Sequence, residues 1–151
     1  MTDEQIGAAL VELADLLVCI SNDFHNLHFN YRGTEFDIMH KKTLQKYYDK
    51  SGDDYDEIYE AAMMFTKVVP PVNEASTRIN YPNKDFGEVG RQQAVTASME
   101  LLNLICTYYY KCFCLLNDIK EVRCIGVSNL LQDRIQYWSK ELYYFNRGRI
   151  E

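Results

Sequence analysis

The chain has 151 residues, of which 47% are hydrophobic and 13% aromatic, and a formal net charge of −6. Such a chain can bury a core as one domain, residues 1–151, without metal or disulfide staples, and its apolar content excludes disorder. The acidic balance argues against a nucleic-acid surface, which needs a basic face or tail, and no apolar run is long enough to span a bilayer.

Ile6, Leu10, Leu13, Leu17, Ile20, Phe24, Leu27 and Tyr31 alternate steps of four and three. That periodicity predicts a long amphipathic first helix, capped by Thr2 or Asp3 and stopped by Gly33. Thr34 with Asp37 is expected to cap a second helix carrying Phe36, Met39, Thr43, Tyr47, Tyr55, Ile58, Ala62 and Phe65. Its apolar phase slips around Lys50–Asp53, where Ser51 and Gly52 predict a bulge, kink or break. Pro70-Pro71 is expected to end this helix. Residues 67–87 then read as a long irregular connection with at most one short helix.

A third stripe runs through Val95, Ser98, Leu102, Ile105, Tyr109, Cys112, Leu116 and Ile119. Gly126 is expected to interrupt, and Ser128 to cap a fourth helix through Leu131, Ile135, Trp138, Leu142 and Phe145. No strand and no internal repeat stands out. Four helices with one long crossover between the second and third give an all-α, four-helix bundle of ferritin-like connectivity. Five cysteines without paired spacing, three of them on the one apolar segment that carries the third stripe, read as reduced core thiols of a cytoplasmic protein.

All three histidines fall within sixteen residues, around Arg32-Gly33. His28 and His40 both sit roughly 7 to 11 Å from the corner, so a helical hairpin lets them face each other. His25 is off the seam and expected to be solvated. Asp56 and Glu60, at i and i+4, can clasp a hard or borderline cation, although an acidic run of this kind is more often a solvated face. Sixteen residues of helix separate His40 from Asp56, about 24 Å, too far for one coordination shell. Two copies packed antiparallel across a twofold axis would bring the pairs together twice.

The pattern His28-Phe-Asn-Tyr-Arg-Gly33-x-x-Phe36-x-x-x-His40, then Tyr47, then Asp56-x-x-x-Glu60, resembles the mini-ferritins, the DNA-protecting starvation proteins called Dps. It is most similar to divergent, phage-encoded ferritin-like members. The motif covers residues 24–62, with weaker helix-by-helix similarity beyond. The resemblance implies an iron site at a dimer interface, with His28 and His40 from one subunit and Asp56 and Glu60 from the other.

Iron, with manganese or zinc as substitutes, is the implied metal, and weak ferroxidase activity is the most the pattern supports. Leu44 stands where the family places a carboxylate four residues after the second histidine. The His40-to-Asp56 spacing is one residue longer than usual. No Lys-rich tail precedes the first helix, so DNA binding is not implied. A homodimer or higher homo-oligomer is expected. The competing reading, from another class, is a non-catalytic bundle that acts by protein–protein contact, for example with a host protein. The dense tyrosines 108–110 and 143–144 suit such an interface.

Overall fold

The computed structural model describes residues 1–82 and 84–148. Helix α1 spans Asp3–Asn30. Helix α2, Lys46–Ala62, is entered directly from a π-helical segment, Ile38–Gln45. The crossover carries a 3-10 turn at Val72–Glu74 and the short helix α3, Ala75–Arg78. Helices α4, Arg91–Leu116, and α5, Val122–Asn146, complete an all-α bundle. The backbone packing pairs α1 with α2 and α4 with α5, and joins the pairs through α1 and α4. Among the described residues the only β-type pairing is an isolated bridge between Tyr31 and Val89.

Helix α1 begins as its sequence dictates. The Gln5 backbone N–H donates to the Thr2 hydroxyl at 3.2 Å, and the Thr2 N–H donates back to Gln5 Oε1 at 2.9 Å. All eight seam residues are no more than 3% exposed. Each such side chain is worth roughly 1.5–3 kcal/mol when buried, so this one stripe drives much of the collapse.

The corner after α1 is built differently from the expected cap. Tyr31 folds its ring beneath the turn and donates its hydroxyl to the Thr34 carbonyl at 2.6 Å. A Cβ on Gly33 would collide with that buried ring, which is why glycine stands here. Neither Thr34 nor Asp37 caps the next helix. The Glu35 carbonyl instead accepts from Ile38 and Met39 N–H, at 3.0 and 3.1 Å. The returning crossover is stitched to this corner: Arg32 N–H donates to Val89 O at 2.8 Å, and Val89 N–H to Asn30 O at 2.9 Å.

Three boundary expectations are corrected. The second helix is regular through Lys50–Asp53, and its irregularity lies earlier, in the π-helical segment. Tyr47, Ser51, Asp54, Ile58 and Ala62 form an unbroken buried face in which two members are polar. The apolar pattern therefore lapses where the helix does not. A π turn closes one residue later than an α turn, so the helical phase shifts across Ile38–Gln45. Secondly, α2 ends at Ala62, eight residues before Pro70, closed by tight turns such as Phe65 N–H to Ala62 O at 2.9 Å. Thirdly, Gly126 and Ser128 lie inside α5, which starts at Val122 with the Glu121 carboxylate accepting from Cys124 N–H at 3.3 Å. Arg123 secures that start by pairing with Asp3 and donating to the Met64 carbonyl at 2.8 Å, joining the ends of three helices.

Buried carboxylates pin the crossover. Asp15 on α1 accepts both Arg78 Nε (2.9 Å) and Nη2 (2.7 Å), and also the Tyr59 hydroxyl at 2.5 Å. Two turns on, Asp23 accepts the Tyr81 hydroxyl at 2.5 Å, and its burial raises its pKa above the usual carboxylate value. The cysteines are all free. Burial pushes the thiols of Cys19 and Cys112 up to about 11 and about 12, which keeps them protonated and unreactive. Cys114 is the departure from the core reading, since it is exposed on the opposite side of α4 from Cys112.

Two glycines should respond in opposite directions. Gly126→Ala, in an exposed helical position with open space around it, should stabilise by about 0.5–1 kcal/mol in chemical denaturation. Gly33→Ala should destabilise by about 1–3 kcal/mol, because the Tyr31 ring must leave its place. Equal effects at the two positions would contradict this account of the corner.

Candidate metal centre

The hairpin brings His28 and His40 together as the spacing implied, in a tighter arrangement than facing helices alone would give. Their rings stack with centroids 3.6 Å apart and planes 20° from parallel. His28 Nδ1 lies 2.8 Å from the His40 carbonyl oxygen, and His40 Nδ1 lies 3.0 Å from the His28 carbonyl oxygen. A carbonyl can only accept, so both Nδ1 atoms carry the proton and donate. That leaves Nε2 of each ring as the nitrogen open to a metal. Burial of His28 lowers its pKa below 6.5, which favours the neutral ring, against the opposing pull of the hydrogen bond to the His40 carbonyl.

Aromatic neighbours hold the clasp. Phe36 stacks on His40 at 4.5 Å, and Tyr48 meets the His28 ring edge-on at 5.2 Å. His25 is half-buried rather than solvated, packed on Phe29 at 4.3 Å and Tyr48 at 4.4 Å. Tyr48 was missed in the sequence because only Tyr47 continues the core seam. Its neighbour turns instead toward α1, where Ser21 Oγ donates to the Tyr48 carbonyl at 3.1 Å. Phe29 and Phe36 remain 58% and 45% exposed, leaving an apolar rim beside the histidines.

Asp56 and Glu60 stand on the exposed face of α2, apart from the histidines. Among the described residues, no three His, Cys, Asp or Glu side chains of the chain gather into a group that could hold a metal ion. One chain thus holds the imidazole pair and the carboxylate pair at separate places on the hairpin and does not bring them together. Leu44, where the resemblance implies a carboxylate, is fully buried in the core.

The bundle interior is committed to other bonds. Asp54, which is fully buried, accepts from Trp138 Nε1 at 2.7 Å and Lys50 Nζ at 2.9 Å, with Arg134 Nε 3.0 Å away. Two cations and an indole on one carboxylate leave no ligand for a metal at that level. The sequence hid this residue inside the acidic run from Asp53 to Glu60. The four-three spacing of Tyr47, Ser51, Asp54 and Ile58 would have found it.

No protein-family model matches the sequence, and no curated protein does. Among solved structures, the chain is similar to Mycobacterium smegmatis Dps in its tetragonal form, with a TM-score of 0.82 at 14% identity over 95% of this chain and 84% of that one. It is also similar to antigen TpF1 from Treponema pallidum, with a TM-score of 0.79 at 18% identity over 97% of this chain and 95% of that one. Likeness at these identities establishes the fold. The chain has the all-α, ferritin-like bundle fold that these two structures share.

The histidine clasp carries a pH signature. Because the folded value of His28 lies below 6.5, the unfolded chain takes up this proton first as pH falls. The stabilisation is complete above the unfolded value and is lost as pH falls through the folded one. In chelator-treated protein, folding stability should drop between about pH 7 and pH 5, with a shallower slope in His28→Gln. Parallel slopes in the two proteins would show that His28 is not held neutral.

Proposed function

We propose that this chain is a metal-binding protein whose sites are completed between two copies. His28 and His40 of one copy and Asp56 and Glu60 of a second would supply the four donors, in two identical sites. The observation that carries this reading is the reciprocal pair of hydrogen bonds between the histidines and each other's carbonyls, which occupies Nδ1 of both rings and leaves both Nε2 atoms for a metal. Charge distribution supports the antiparallel pairing. Lys41 and Lys42 are exposed at the histidine end of the π-helical segment and α2, and Asp53, Asp56 and Glu60 are exposed toward the other end. Turning one copy over places the basic end against the acidic one. The exposed Phe29 and Phe36 would form the apolar rim of that contact.

Iron(II) suits two imidazoles and two carboxylates with positions left open, and manganese or zinc would fit the same donors. When bound, iron would supply redox chemistry. The chain's own part is to present neutral imidazoles and to place charge. Leu44 offers no bridging carboxylate for a second ion, so the reading is one metal per site and at most slow iron oxidation. Exposed Tyr110, Tyr143 and Tyr144, at 60%, 58% and 45%, favour a second reading in which the bundle serves as a contact surface for another protein.

Metal content of protein purified without added metal separates the two. One iron, manganese or zinc per chain, with His40→Ala losing nearly all of it, is the expected result. Metal-free protein that also fails to take up added iron(II) would favour the contact-surface reading.

A further inference from the structure

The acidic stripe of α2 includes Asp49, which the shared site leaves unused. Asp49 precedes Asp56 by seven residues and Glu60 by eleven, all within the regular helix Lys46–Ala62. At 3.6 residues per turn those separations are close to two and three whole turns, so Asp49 lies within about 20° of both and between them in azimuth. It is exposed. Its neighbour Tyr48 packs on His25 and His28, so this stretch of α2 borders the histidine cluster.

The role of Asp49 rests on the shared-site reading. Two helices related by a twofold axis perpendicular to them run antiparallel, so opposed positions keep a constant sum along them. Setting His40 of one copy against the Asp56–Glu60 pair of the other centres the axis near position 49. Residues away from that point meet different residues, and a residue at that point meets itself.

We propose that Asp49 lies on the twofold axis, facing the same residue of the second copy, and that this like-charge contact limits how tightly two chains associate. The same register sets Lys41 and Lys42 of each copy near Asp56 of the other, so the flanks attract while the centre repels. The interface would be strengthened whenever the central charge is removed, without any change to the donors on either side.

Sedimentation equilibrium without added metal tests this. Asp49→Asn should tighten the dimer by roughly five- to tenfold at low ionic strength, and by less at high salt. A second variant tests self-contact directly. Asp49→Lys copies mixed with unmodified copies should give heterodimers in excess of random exchange, read by native mass spectrometry, because only the mixed pair joins opposite charges. A dimer unchanged or weakened by Asp49→Asn, or mixing at random, would overturn the axis placement. Dimers that mix at random yet still bind metal through His40 and Glu60 would overturn this inference alone. A chain that stays monomeric throughout would overturn the shared-site reading with it.

Discussion

Three aspartates lie buried in a largely apolar interior, and the bundle's architecture depends on each of them being matched. An unpaired buried carboxylate would cost several kcal/mol, so Asp15, Asp23 and Asp54 dictate where their partners must go. Asp15 draws Arg78 and Tyr59 onto α1, and Asp23 draws Tyr81, so the long crossover is fixed along the helix it spans. Asp54 draws Lys50, Arg134 and Trp138, linking α2 to α5, whose backbones approach less closely than those of the other packed pairs. Replacing one partner by an apolar side chain would strand the charge, whereas replacing the whole set would not.

This use of charge also decides where metal chemistry has room. Bundles of this class can build a centre between their four helices, from a carboxylate on each of two helices and a Glu-x-x-His motif on each of the others. Here α4 and α5 contain no histidine, and the interior carboxylate is already neutralised by lysine and arginine. The α1–α2 hairpin carries all three histidines, with His28 buried and His40 half-buried against Phe36. The histidine clasp fixes the tautomer of two of them before any ligand arrives, which is the preorganisation a binding site requires.

Much of this was legible in the sequence, and what was hidden has a common cause. The α1 seam from Ile6 to Tyr31 could be read because every core position on it is apolar. The α2 face could not, because Ser51 and Asp54 occupy core positions with polar side chains whose hydrogen bonds are made across the fold or back onto the helix. Their polarity looked like a break in the helix. The real irregularity, the π-helical run Ile38–Gln45, leaves little trace in apolar spacing. Likewise Gly126 and Ser128 carry a stop-and-cap signal that the Arg123 contacts override. The histidine pair was foreseeable from its twelve-residue spacing around Arg32-Gly33, but the stacking and the reciprocal carbonyl bonds depend on the exact height of the corner, which Tyr31 and Gly33 set.

The central claim is that two half-sites on different copies make one metal centre, and mixed dimers test it most directly. Chains carrying His40→Ala and chains carrying Glu60→Ala each make homodimers with both sites damaged. Co-expressed, they form heterodimers in which both defects fall in one site and the other retains His28, His40, Asp56 and Glu60. Purified heterodimers are predicted to bind one metal ion per dimer where either homodimer binds close to none. Heterodimers that form but hold no more metal than their parents would contradict the shared site, and would leave the clasp as a structural fastening of the α1–α2 corner.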